Sequence, residues 1–216
     1  AWVTWGVMLF PVGCAGPEWG GDELKGHSAE LETRLRADGL MRDESVAADA
    51  PFSSGDLIRN FELIALHTEF DDSKNDLVPK QTSIHLTRWD GPVKINLSGF
   101  GVRPNDGVVL RELAAQLEGA AGIPFEIVPA SQANLQIVMF DAEQRDDFTR
   151  AIAAGPAAKE YQAFEIWAQD DWSPCIATTF EEDDARPGVI TGALIIIKDE
   201  TANLMRKSCF HEELTQ

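Results

Sequence analysis

The sequence predicts an α+β fold, a mixed β-sheet with packed helices, and three observations carry that expectation. From Val93 onward, short alternating or apolar runs of strand character interleave with amphipathic stretches of helical period. The run Ala193-Leu194-Ile195-Ile196-Ile197 is continuously apolar, as expected of a central strand covered on both faces. Val109, Leu110, Leu113 and Leu117 recur at helical spacing and define a face for that sheet to pack against. With 216 residues, 44% of them hydrophobic, the chain can bury one good core, so a single domain with appendages is expected.

The first segment, residues 1–14, reads AWVTWGVMLFPVGC and is too short an apolar run to span a bilayer. It is similar to the hydrophobic core and end of a secretory signal. Val12-Gly13-Cys14 resembles the box after which bacterial lipoproteins carry lipid on the new terminal cysteine. Cys14 is therefore the expected lipidation site, although Pro11 stands where such boxes usually have leucine and no basic region precedes it. A buried strand or hairpin at the start of a domain is the alternative.

Residues 15–53 are rich in Gly, Ala, Asp, Glu and Arg, and only Leu24, Leu31, Leu35 and Leu40 hint at periodicity. They read as a linker with a short helix, tethering a domain over 54–216 to a membrane. Ser54-Gly55-Asp56 then precedes an apolar run, Leu57 to Leu66, taken as helix. His67 and Glu69 after it fit an ordinary polar pair better than a ligand set.

Asp71 to Lys80 reads as a polar loop ending near Pro79. Ile84 to Trp89 alternates, Asp90-Gly91-Pro92 makes a turn, and Val93 to Leu97 alternates again, so two strands are expected. Asp106 is placed to cap a helix over Val108 to Gly119, which Gly122 ends. Strands follow at Phe125 to Val128 and Leu135 to Phe140, then a helix from Asp141 to Ala154 that Gly155-Pro156 breaks. Periodicity leaves Ala157 to Pro174 undecided; Cys175 to Phe180 and Val189 to Lys198 read as strands, and Thr201 to Gln216 as a final helix.

Composition excludes one large class of partner. The 18 basic against 36 acidic residues give a net charge of −18, which repels phosphate backbones and argues against nucleic-acid binding. Acidic runs such as Asp170-Asp171 and Glu181-Glu182-Asp183-Asp184 read as solvated loops, because the ligand spacing of a calcium loop is missing. With Cys14 assigned to lipid, Cys175 and Cys209 remain, either as a disulfide in an oxidising compartment or as two buried thiols.

The final stretch, TANLMRKSCFHEELTQ, concentrates the chemistry. On a helix Glu212 and Gln216 share a face, and the string is similar to the H-E-x-x-H logic in which two ligands one turn apart hold a metal while a glutamate activates water. Starting at His211 the string is His-Glu-x-x-Thr; starting at Glu212 it is Glu-Glu-x-x-Gln. An amphipathic helix packing Leu204, Phe210 and Leu214 with solvated charges is the plainer alternative. The order of elements from Val93, strand, helix, four strands and a polar-bearing helix, is also that of the N-terminal half of zincin peptidases.

Leu57-Ile58-Arg59-Asn60-Phe61, Leu86-Thr87-Arg88-Trp89-Asp90-Gly91-Pro92-Val93 and above all Cys209-Phe210-His211-Glu212-Glu213-Leu214-Thr215-Gln216 together resemble the bacterial domain-of-unknown-function family 2927, of secreted or lipoprotein domains. The resemblance covers roughly residues 54–216. It implies a zincin-like subdomain ending in an active-site helix, with Glu212 as first metal ligand, Glu213 as the catalytic carboxylate and Gln216 as second ligand. In that register His211 faces elsewhere; in the other it is a ligand. A glutamine amide is a poor ligand for zinc, so a divalent metal that prefers oxygen, Ca²⁺, Mg²⁺ or Mn²⁺, is the expected cofactor if one binds. The resemblance further implies export to the periplasm or a membrane anchor. An envelope protein or peptide is the expected substrate or ligand.

Overall fold

The structure is a computed structural model that describes residues 21–41, 53–71, 78–154, 162–169, 173–181 and 187–215. The expected lipidation site Cys14, the expected ligand Gln216 and the acidic runs at 170–171 and 182–184 lie outside the described residues.

Six strands form a mixed sheet. β4 (Val93–Ser98), β5 (Phe125–Ile127), β6 (Leu135–Phe140) and β8 (Val189–Lys198) run parallel in the order β5-β4-β6-β8, and β7 (Cys175–Glu181) lies antiparallel on β8. The short β3 (Arg88–Trp89) pairs in parallel with Val189 and Ile190 at the start of β8. This is the expected α+β architecture, and its strand boundaries from Val93 on fall close to those read from the sequence.

The pleat sends alternate residues of β8 to two different cores. Ala193, Ile195 and Ile197 join Val93, Ile95, Leu135, Ile137 and Met139 under α3 (Pro104–Ala121) and α6 (Asn203–Thr215). Leu194 and Ile196 instead meet Phe164 and Trp167 of α5 (Gln162–Gln169), with Phe148 of α4 (Ala142–Ala153) beside them. Both faces of β8 are thus covered, which is why its sequence is a continuous apolar run.

Three local outcomes differ from the sequence expectation. The polar stretch after His67 contains a hairpin, β1 (His67–Asp71) against β2 (Val78–Ser83), tolerant of Pro79 because an edge strand need not donate every N–H. Of Ile84 to Trp89, only Arg88 and Trp89 pair, and they do not form a hairpin with β4, because β5 and β6 occupy both edges of β4. The undecided stretch near Tyr161 contains α5, whose Phe164 and Trp167, three apart on one face, are almost fully buried.

α2 (Ser54–Ala65) starts where expected, with a capping box: the Ser53 hydroxyl accepts from the Asp56 N–H while the Asp56 carboxylate accepts from the Ser53 N–H at 2.8 Å. Its Leu57, Ile58, Phe61 and Ile64 are exposed. α3 is capped from its third position: Asp106 Oδ2 accepts from Arg103 N at 2.6 Å, so Asp106 caps from inside the first turn rather than ahead of it.

The same Asp106 is the partner of a buried cation. Arg206 of α6, 3% exposed, donates to both carboxylate oxygens of Asp106 at 2.8 and 2.6 Å, and to the carbonyls of Gly101 and Asp199 at 2.6 and 3.2 Å. A bidentate pair satisfied on its remaining donors ties α6 to the start of α3. Replacing Arg206 by Ala strands a carboxylate in the interior and should cost on the order of 3–5 kcal/mol in denaturant unfolding. R206M with D106L, which removes both charges, should restore part of that loss.

Candidate functional site

The site expected on α6 depends on how β8 hands over to that helix. Lys198 N donates to Pro174 O, Asp199 N to Phe140 O and Thr201 N to Lys198 O, all within 3.1 Å, so the turn is pinned to neighbouring strands. Arg145, 6% exposed, donates to both oxygens of Glu200 at 2.8 and 2.6 Å, and Arg103 donates to Asp199 O at 2.6 Å. Gly101 approaches this turn so closely that a Cβ there would lie 2.5 Å from Asp199 Oδ1. The helix that follows therefore leaves the sheet at a fixed angle.

Met205, Arg206, Cys209 and Phe210 are the buried face of α6. Beyond them, Glu213 and Leu214 are partly buried, whereas His211, Glu212 and Thr215 are exposed. Phe210 belongs to the main core and Leu214 packs against it, as the amphipathic alternative expected. Among the described residues no group of three His, Cys, Asp or Glu side chains converges to hold a metal ion.

Cys209 is bonded to Cys175, the first residue of β7, with Cα atoms 5.9 Å apart. Of the two alternatives for these cysteines, the disulfide is the one realised. It staples the antiparallel edge strand to the middle of α6. Counting about 100° of rotation per helical residue, Glu212 and Glu213, three and four residues beyond Cys209, lie on the stripe that Cys209 begins. His211, two residues beyond, lies about 200° round, across the helix from that bond.

Two further histidines sit on other elements. His67 of β1 bonds the Glu62 carbonyl through Nδ1 at 2.9 Å, which leaves Nε2 to accept from the Ser83 hydroxyl at 3.3 Å and makes this ring a local brace. His85 Nε2 donates to Glu181 Oε2 at 2.9 Å, and the Gly188 N–H donates to the same oxygen at 2.9 Å. Glu181 ends β7, so this contact joins the 84–87 segment to the β7–β8 edge. The hydrogen bond from His85 first, and that from Gly188 second, hold the Glu181 carboxyl below its usual value of 4.5.

A cavity of about 530 Å³ lies between α3 and β5, lined by Arg111, Ala114, Ala115, Glu118, Gly119, Phe125 and Ile127. It borders the β5 end of the sheet, whereas the α6 carboxylates follow the disulfide to the β7 end. None of the expected site residues lines it.

The arrangement defines a class: an α+β domain whose last described helix carries paired carboxylates and is stapled by a disulfide to an antiparallel edge strand. The chain belongs to the family of proteins of unknown function numbered 2927, whose profile matches residues 54–216. No curated protein and no solved structure matches it.

Two measurements check this geometry. Reducing the bond, or C175S with C209S, should lower the unfolding free energy by roughly 3–4 kcal/mol for a link across 34 residues. For Glu181 the sign follows from its lowered folded value: the stabilisation is complete above pH 4.5 and is lost as pH falls through the lower folded pKa. A carboxyl NMR titration should place the Glu181 midpoint below 4.5, and H85A should move it back up.

Proposed function

We propose that this chain is an exported, membrane-tethered envelope protein with a zincin-like domain, acting as an atypical metallopeptidase on proteins or peptidoglycan peptides. The observation that carries this reading is the disulfide between β7 and α6. It holds an antiparallel edge strand, the natural platform for an extended peptide, beside the helix face on which Glu212 and Glu213 continue from Cys209. Gln216 stands seven residues beyond Cys209 in the sequence, the spacing at which helical sequences repeat a face. The disulfide also suits an oxidising compartment, in keeping with export.

The donor chemistry fits a hard divalent cation. Glu212 and Gln216, one turn apart, would supply carboxylate and amide oxygens, which suit Ca²⁺, Mg²⁺ or Mn²⁺ better than zinc. Such a cation would supply Lewis acidity toward an amide carbonyl. Glu213, partly buried beside Leu214, is the group that takes the proton from the attacking water and returns it to the leaving amine. His211 plays no part in this register.

A second reading rests on the same disulfide-held strand beside α6. In it the domain binds envelope peptides along β7 without hydrolysing them.

Elemental analysis and titration calorimetry with Mn²⁺ separate the two. Stoichiometric binding that falls at least tenfold in E212A and in Q216A, with peptide hydrolysis abolished in E213Q at unchanged metal affinity, is the expected result. Metal-free protein that still binds extended peptides, equally in wild type and E213Q, would establish the binding module instead.

A further inference from the structure

α6 has no acidic residue in its own first turn, yet the N–H groups of Ala202, Leu204 and Met205 at its start find acceptors. Their acceptors come from α1 (Gly21–Ala37), more than 170 residues away in sequence. Ser28 Oγ accepts from Ala202 N at 2.9 Å, and Glu32 Oε2 accepts from Leu204 N and Met205 N at 2.8 and 3.2 Å. Lys25 Nζ, on the same face one turn earlier, lies 3.4 Å from Asp199 Oδ2. Ser28 and Glu32 are four apart, so one helical face presents a hydroxyl and a carboxylate together.

The contact has a polar part and an apolar one. α1 buries Leu31 at 7% exposure, while Lys25, Thr33, Arg34 and Arg36 are exposed and Glu32 and Leu35 are partly covered. Leu31 belongs to neither hydrophobic cluster that encloses the sheet. α1 also lies outside residues 54–216, the span that the family profile matches. Within the segment expected to be a linker, this helix sends the hydrogen bonds of Ser28 and Glu32 and the ion pair of Lys25 to the N-terminal end of α6 and the turn before it.

We propose that α1 is a separable strap, and that the N-terminal end of α6 with Asp199 is its docking surface. This surface takes a polar helix that offers a hydroxyl and a carboxylate one turn apart and a lysine at the preceding turn. A carboxylate placed on the open N–H groups of a helix start is favoured by hydrogen bonding and by the helix dipole together. Docked, the strap completes the cap of α6 and holds the attitude of the helix that carries His211, Glu212 and Glu213. Undocked, it leaves those N–H groups to water while the sheet and both of its cores stay intact. The inference does not depend on whether a metal binds at the far end of α6.

Hydrogen exchange on the full chain tests it, comparing wild type with S28A/E32A and with E32Q, which keeps an acceptor oxygen but not the charge. In S28A/E32A, amides of residues 21–37 and 202–206 should exchange faster by on the order of tenfold, with a smaller rise in E32Q. Peptides from β6 and β8 should keep their protection. Unchanged exchange over 21–37 in the double variant would overturn the proposal, since those two side chains would not be what docks the helix. Simultaneous loss of protection in β6 and β8 would overturn it too, by making α1 part of the cooperative core.

Discussion

The rest of the structure depends on the neutralisation of Arg206 inside the protein. A guanidinium at 3% exposure is tolerable only where its donors are matched, and here they are matched by both oxygens of Asp106 and by two backbone carbonyls. Each acceptor belongs to a different part of the chain: the first turn of α3, the loop after β4, and the turn after β8. Asp106 serves twice, as cap for α3 and as counter-ion, so the helix start and the ion pair cannot shift independently. Gly101 packs closely at the same place: a Cβ there would lie 2.5 Å from Asp199 Oδ1 unless that side chain moved.

Around that pair, α6 is braced at successive turns by unlike chemistry. The N–H groups at its start are taken by Ser28 and Glu32, Arg206 closes its first turn, and Cys209 in the second is bonded to β7. Arg145 and Glu200 fix the turn ahead of it on the other side of the sheet. Phe210 in the main core and Leu214 packed against it hold the far half of the helix as well. His211, Glu212 and Glu213 therefore owe their positions to contacts made on both sides of them along the helix.

What was legible in the sequence is what periodicity and apolar content encode. The continuous run of β8, the alternation of β4 and β6, and the stripe of α3 each followed from how a side chain meets a covered or half-covered surface. The hairpin β1–β2 was hidden because its strands are polar and include Pro79, and strand propensity only measures fit to a half-buried surface. For the site, local spacing identified the helix and the carboxylates on it. It could not reveal Arg206 with Asp106, or Glu32 on the start of α6, because such partners are far apart in sequence and charged residues carry no period. Arg206 looks in the sequence like any basic residue near a helix start; only the fold turns it inward.

One bond orders the residues of the helix string by direction. Because Cys209 must face β7 to form its disulfide, every residue on α6 acquires a direction relative to the sheet edge. Glu213 at four residues and Glu212 at three stay within about 60° of that direction, whereas His211 at two residues points across the helix. The residues nearest that direction are carboxylates, and the imidazole lies away from it. Carboxylate oxygens are hard donors, and here they stand in a chain whose net charge is −18. The disulfide thus does more than stabilise: it fixes which face of the helix is turned toward the β7 edge.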